Sequence, residues 1–158
     1  MNTNELDSGK TLQRAAKHSE NQAMSILFKL GMIDVAIVTR DKPGRGEFLF
    51  SEQLVWTGAE NSKIREDRCL SVAVYEYGSE ARKKVITALE QLPCGYRIAY
   101  SSPYVAGQIA AVESGMAVAV LTRGSVPESL KIINSEQLPT SPSLDVVVIS
   151  RNNTATPH

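Results

Sequence analysis

Apolar residues recur along the chain with two spacings, which predict strands alternating with helices. The segments typical of strands, because they alternate or are apolar throughout, are residues 33–38, 71–75, 97–100 and 117–121. Residues 79–89 and 103–114 instead carry apolar side chains at helical spacing. Residues 71–121 therefore predict the order strand, helix, strand, helix, strand. That order indicates an α/β layer with a mostly parallel sheet and right-handed crossovers.

The rest of the chain is patterned less evenly. Apolar spacing over residues 24–30 predicts one more helix, which Gly31 ends. Four further strands are predicted, at residues 48–51, 54–58, 130–133 and 146–150. The first ten residues or so and residues 151–158 have no periodicity, and we expect both to be loose.

A polar corner interrupts the predicted layer where the strand at residues 97–100 turns into the next helix. Ser102 is placed to cap that helix, with Pro103 at its first position and Gly115 just after its end. Free backbone amides and the positive end of the helix dipole meet at such a corner, so Ser101 and Ser102 could border an anion site. The plainer alternative, that both serines only cap the helix, is equally consistent with the pattern.

Composition narrows the class of protein. Lys plus Arg equal Asp plus Glu at 17 each, so the net charge is zero and no basic patch marks an autonomous nucleic-acid binder. The sequence contains no apolar run of membrane-spanning length and no secretory signal. Cys69 and Cys94 are too few for a disulfide framework or a zinc site. We expect a cytoplasmic protein without a cofactor or a bound metal.

Binding is better supported than catalysis. His18 and His158 lie outside any pattern that includes a nucleophile, and the sequence has no glycine-rich phosphate loop. The basic run Arg82-Lys83-Lys84 is expected to spread over the solvent face of its helix. An α/β enzyme stays the weaker alternative, because the sequence offers no catalytic pair.

Several segments, taken together and in order, resemble a known family. They are Ile33-Asp-Val-Ala-Ile-Val-Thr-Arg40, Leu54-Val-Trp56, Tyr96-Arg-Ile-Ala-Tyr-Ser-Ser-Pro103, Ala106-Gly-Gln-Ile-Ala-Ala-Val-Glu-Ser-Gly115 and Val118-Ala-Val-Leu121. Over residues 24–150 the chain resembles the effector-binding domain of LysR-type transcriptional regulators. The resemblance implies a fold like a type 2 periplasmic binding protein. In that fold two α/β lobes are joined by two crossover strands, and a small effector binds in the cleft between them.

The resemblance also implies a division of the chain. Residues 1–39 would form part of lobe one, residues 40–150 a complete lobe two with a mostly parallel sheet and flanking helices, and residues 151–158 a loose tail. The ligand-binding residues would be Thr39, Arg40, Ser101, Ser102 and Tyr104, with Arg40 as the cation for an anionic effector. Tyr104 would form a wall of the pocket or, as the alternative, simply be exposed. A surface ion pair of Arg40 with Asp41 is an equal alternative for that side chain.

The family's winged helix-turn-helix, its linker helix and the first elements of lobe one have no counterpart in this sequence. We therefore expect a truncated regulatory module that binds a small anionic effector and makes no direct contact with nucleic acid or membrane. Incomplete cover of the helix at residues 24–30 and of nearby strand edges predicts exposed apolar surface. From this we expect a homodimer or, as the alternative function, an interaction protein that forms mixed dimers with a full-length regulator.

Overall fold

The structure, a computed structural model, describes residues 20–64 and 68–151. Its helices are α1 (Glu20–Lys29), α2 (Glu80–Leu89) and α3 (Val105–Glu113), with a short 3-10 turn at Arg123–Ser125. Its strands are β1 (Val35–Thr39), β2 (Glu47–Ala59), β3 (Leu70–Val74), β4 (Tyr96–Ser101), β5 (Val118–Thr122), β6 (Leu130–Ile132) and β7 (Ser143–Ser150). Residues 1–10 and, of the tail predicted at residues 151–158, residues 152–158 lie outside the described residues. Arg151, the first residue of that tail, is described, and its Nε donates to Asp34 Oδ1 at 2.9 Å and its Nη2 to the Phe28 carbonyl oxygen at 2.7 Å.

The predicted alternation of strands and helices is confirmed, with one correction at β2. Residues 48–51 and 54–58 were expected to form two strands, but they belong to the single strand Glu47–Ala59. Ser51, Glu52 and Gln53 are polar, yet none of them is a glycine or a proline that would interrupt extended backbone. The polar residues of that stretch therefore indicate an exposed part of the strand, and they do not indicate a turn.

The chain divides into two compact units. The first contains Met1–Phe50 and Asp145–His158, and the second contains Ser51–Leu144. In the first unit β1 pairs antiparallel with β7, and α1 contacts β1. Its small core consists of Ala36, Val38, Val147 and Ile149, with Met24, Phe28 and Ile33 packed against them. The assignment of residues 1–39 and 40–150 to the two lobes stays a prediction.

Apolar side chains of the first unit are exposed, as the sequence predicted. On α1, Ile26 is 56% exposed, and Leu30 just beyond it is 68% exposed. On β1, Val35 and Ile37 are 58% and 60% exposed. The strand alternates, since Ala36 and Val38 between them are buried. One face of β1 is therefore apolar and uncovered.

The second unit contains a mixed sheet in the order β6–β2–β5–β3–β4. Strand β3 is parallel to β4 on one side and to β5 on the other, while β2 runs antiparallel to β5 and to β6. The three parallel strands are joined through α2 and α3, as the crossover pattern predicted.

Both faces of this sheet are covered. The α2-side core comprises Leu54, Trp56, Val72, Val74, Ala81, Val85, Leu89, Val118, Val120, Leu138 and Leu144. The α3-side core comprises Ala73, Ala111, Val112, Ala117, Ala119, Leu121 and Leu130. Because the second set is rich in alanine, α3 lies close against the sheet. Each set takes alternate residues of β3, so α2 and α3 lie on opposite faces.

The three α-helices of the described residues have 10, 10 and 9 residues, so none of them is long enough to cross a membrane.

Two glycines in the loop before β2 give a test of packing in the first unit. Gly44 and Gly46 both have positive φ, +75° and +72°, but only at Gly46 would a Cβ meet neighbours, the Val148 carbonyl oxygen at 2.8 Å among them. We expect Gly46→Ala to lower the free energy of unfolding by about 2–4 kcal/mol, because backbone strain and overpacking add. Gly44→Ala, the matched control, should cost about 1 kcal/mol. Equal shifts of the two urea midpoints would contradict this packing.

Candidate functional site

The carboxyl ends of β3 and β4 meet at one edge of the second unit's sheet, because the two strands are neighbours and parallel. The chain leaves β3 into α2 on one face and leaves β4 into α3 on the other. Two helix amino termini thus flank a point where consecutive connections diverge. Open α/β sheets bind ligands in the crevice outside such a point. We call residues 75–82 and 101–108 at this edge the carboxyl-edge site.

The corner between β4 and α3 is built by Ser102, but not as the sequence predicted. Ser102 is buried, and its Oγ accepts a hydrogen bond from the backbone N–H of Tyr104 at 3.1 Å. That local turn holds Tyr104 in an extended conformation, with φ −101° and ψ 133°, so α3 begins only at Val105. The expectation that Ser102 is the N-cap and Pro103 the first helical residue is therefore wrong. Tyr104 takes the N-cap position without a side-chain capping bond.

Helix α3 approaches this corner closely at Gly107. A Cβ at that position would lie 2.7 Å from Ser102 Oγ and 2.9 Å from the hydroxyl oxygen of Tyr100. The missing side chain therefore lets the first turn of α3 rest on the end of β4. The Ser102 hydroxyl is enclosed by this contact, whereas Ser101 stays exposed.

Arg82 was expected on the solvent face of α2, and this is wrong. Only 8% of Arg82 is exposed, and its Nη1 donates to the Tyr75 carbonyl oxygen at 2.7 Å and to Ser101 Oγ at 3.2 Å. Helical spacing carried the signal, because Arg82 precedes Val85, Ile86 and Leu89 by three, four and seven residues. Its guanidinium therefore lies at the carboxyl edge, beside the predicted site residue Ser101.

The amino terminus of α2 is capped at the same edge. Ser79 occupies the N-cap, as predicted, and its Oγ accepts the backbone N–H of Arg82 at 3.3 Å. The ring of Tyr77, in the loop before the cap, covers the guanidinium of Arg82, with 4.1 Å between Cζ and the ring centroid. The positive end of the helix dipole and the guanidinium charge therefore act at one place.

Gln108 on α3 is a polar residue that the sequence reasoning passed over. It is fully buried, and neither its Nε2 nor its Oε1 has a hydrogen-bond partner among the residues that the structure describes. It shares the sheet-facing stripe of α3 with Ala111 and Val112, three and four residues further on. Because helical side chains lean toward the amino terminus, the Gln108 amide lies over the turn that precedes it.

The other two predicted site residues belong to the first unit. Thr39 is buried at the end of β1, where it pairs with Val146 of β7. Arg40 follows it, and its Nε donates to the Arg45 carbonyl oxygen at 3.1 Å while Nη2 donates to that of Gly46 at 3.4 Å. Within this unit the Arg40 side chain thus holds the loop before β2. Ser101, Ser102 and Tyr104 are brought together in the second unit.

Arg40 and Asp41 do not pair with each other, although the sequence allowed that ion pair. Arg40 faces Asp145 across 3.7 Å, while Asp41 accepts from Arg45 at 2.7 Å. An ion pair of Arg40 with Asp41 is therefore wrong. The hydrogen bond from Arg45 lowers the pKa of Asp41 below its ordinary value, so this carboxyl is ionised at neutral pH.

Within residues 20–64 and 68–151, no group of three or more His, Cys, Asp or Glu side chains could hold a metal ion. Cys69 and Cys94 lie close together, with the Cys69 Sγ 2.8 Å from the Cys94 carbonyl oxygen. Both are at the amino end of their strands, away from the carboxyl-edge site.

Comparisons with known proteins found one relative by sequence and several solved structures with a similar fold. No protein-family model matches the sequence. The chain is 31% identical over 118 residues to the HTH-type transcriptional regulator DgdR of Burkholderia cepacia, a match that covers 73% of this chain and 40% of that relative. The chain thus spans well under half of DgdR.

Two solved structures share the fold. A reduced form of OxyR from N. meningitidis superposes with a TM-score of 0.61 and 22% identity, covering 86% of this chain and 70% of that one. Full-length HypT from Salmonella typhimurium, described as a hypochlorite-specific LysR-type transcriptional regulator, gives 0.63 and 12%, covering 82% and 51%.

The fold is α/β and of the periplasmic-binding-protein-like class that these regulatory domains share. The resemblance to the effector-binding domain of LysR-type transcriptional regulators is confirmed, since the chain is similar in sequence to DgdR and in fold to HypT.

The buried amide of Gln108 generates a prediction about stability. Gln108→Met keeps the length of the side chain and removes two enclosed polar groups without partners. We expect the free energy of unfolding to rise by about 1–3 kcal/mol, as measured by urea denaturation.

Gln53→Met is the matched control, since the Nε2 of Gln53 donates to the carbonyl oxygens of Leu54 and Ser141. This control should leave stability unchanged or slightly reduced. A loss of stability in Gln108→Met would show that the amide has a partner in solution and would contradict the assignment.

Proposed function

We infer that this chain is a regulatory domain that binds a small anionic effector at the carboxyl-edge site. Ser101 and Tyr104 are exposed at that site, and Ser102, whose hydroxyl is enclosed, would hold the backbone turn between them. Thr39 and Arg40, which belong to the first unit, stay part of the predicted set. The role is binding and regulation, because the residues at this edge include no nucleophile paired with a base.

One observation supports this function above the others. Strands β3 and β4 end side by side, and the helices that follow them leave on opposite faces of the sheet. Their amino termini therefore direct partial positive charge toward the same edge, where Ser101 is exposed. A carboxylate or similar small anion fits this arrangement.

The effector would act by changing how the two proposed lobes close and how copies of the chain pack. Closure is a hinge motion, and the crossover at Thr39 and Arg40 would provide one of its two strands. A ligand shifts such an equilibrium only by its difference in affinity for the open and closed states.

Thermal unfolding with a panel of small carboxylates and their neutral amides, at matched ionic strength, tests the function. A carboxylate at a hundred times its Kd should stabilise the chain by about 2.7 kcal/mol, and the amide should have no such effect. Ser101→Ala should lower the affinity for the stabilising carboxylate about fivefold, because one hydrogen bond is lost.

Ser71→Ala is the control, because Ser71 lies in β3 toward its amino end and bonds Arg97 instead. Equal affinity in Ser101→Ala and wild type, or equal stabilisation by the amides, would rule out an anion site at this edge.

Exposed apolar residues of the first unit favour self-association as a second property. We propose a homodimer or a mixed dimer with a full-length regulator, formed through Ile26, Leu30, Val35 and Ile37. Sedimentation velocity of the chain should show a dimer whose population rises with concentration, and Ile37→Glu should abolish it. A concentration-independent monomer excludes the homodimer, and co-purification with a full-length regulator would then separate the mixed dimer from a simple monomer.

A further inference from the structure

Arg82 is a buried cation whose partners are all uncharged. Only 8% of the residue is exposed, and its polar contacts are the Tyr75 carbonyl and the Ser101 hydroxyl. Among the ion pairs of residues 20–64 and 68–151, none involves Arg82. A buried charge is costly unless a counter-charge compensates it. The position of Arg82 therefore calls for an anion that does not come from the described part of the chain.

The Arg82 guanidinium also has two nitrogen donors that are available to a ligand. Both hydrogen bonds of the guanidinium come from Nη1, and no described residue accepts from Nε or Nη2. These two nitrogens keep some solvent exposure, because the fully enclosed polar atoms without partners in the described residues are those of Gln108. Two parallel N–H groups on one edge of a guanidinium match the two oxygens of a carboxylate.

An exposed aromatic ring fixes the plane of this fork. Tyr77 is 84% exposed, yet its ring lies over the guanidinium, with 4.1 Å between Cζ and the ring centroid. The stack orients the fork and shields one of its faces from water, which strengthens the charge felt by a ligand at its edge.

The nearest acidic group on α2 does not occupy the fork. Glu80, in the first turn, pairs with Lys83 through Oε1 and Nζ at 2.7 Å. Ser101 Oγ accepts one Nη1 hydrogen of Arg82, so it does not use the Nε–Nη2 edge. The fork therefore lies near the α2 amino terminus, on the same guanidinium that Ser101 holds through Nη1.

We propose that Arg82 is the residue that recognises the effector, and that it binds a planar carboxylate through Nε and Nη2 with Tyr77 as a cover. This inference rests on the proposed function. It names the chemistry of the ligand and adds a binding residue to the five that the sequence predicted. The two-donor edge can pair with two oxygens of either a carboxylate or a phosphate. It thereby satisfies a carboxylate completely, whereas a phosphate has further oxygens that need other donors.

Isothermal titration of the full chain with benzoate, acetate and inorganic phosphate at matched ionic strength tests the proposal. Wild type should bind the carboxylates more tightly than phosphate. Arg82→Lys keeps the charge but loses the fork, and we expect carboxylate affinity to fall about tenfold to a hundredfold. Tyr77→Ala should lower it about threefold, and Tyr77→Phe should retain it, since the ring face is what matters.

Arg97→Lys is the matched control, because Arg97 lies on β4 and donates to Ser71 near the amino end of β3. It should bind as wild type does. Should Arg82→Lys fail to fold, Tyr77→Ala decides the matter, and unchanged affinity in that exposed variant would overturn the proposal.

The outcomes separate this inference from the proposed function. If Ser101→Ala loses carboxylate binding while a folded Arg82→Lys retains it, the carboxylate-binding role of Arg82 is wrong and the carboxyl-edge site stands. If phosphate binds as tightly as the carboxylates, the planar-fork argument fails. If wild type binds none of the three probes, both proposals fail.

Discussion

The burial of β3 on both faces is the constraint on which the rest of the second unit depends. Val72 and Val74 pack toward α2, and Ala73 between them packs toward α3. A central parallel strand must be covered on both sides, so its neighbours β4 and β5 are reached through helices on opposite faces. The divergence of α2 and α3 at the carboxyl edge follows from this constraint.

The carboxyl edge of β3 and β4 concentrates positive charge. The net charge is zero, yet two helix amino termini and the guanidinium of Arg82 converge where β3 and β4 end. Burial raises the strength of these charges relative to the same groups in water. Local geometry can therefore concentrate positive charge at one edge of a domain that has no net charge.

Much of the fold could be predicted from the sequence, because strands and helices here follow apolar periodicity closely. Ser79 as a cap and Gly115 beyond the end of α3 were readable for the same reason. The candidate site could be predicted from the sequence only in part. Arg82 was misplaced because a basic run was treated as one solvated face, although its spacing to Leu89 put it on the inner side. Ser102 was misplaced because its local turn competes with helix capping, a choice made by neighbouring packing.

The Nε–Nη2 fork of Arg82 can be observed directly by nuclear magnetic resonance. Its Nε–H signal in a nitrogen–proton correlation spectrum is identified by its absence in Arg82→Lys. On addition of benzoate, the account predicts that this proton resonance moves downfield and exchanges more slowly with water, while the Arg97 signal stays in place. An Arg82 signal that does not move while the chain binds benzoate would contradict the account.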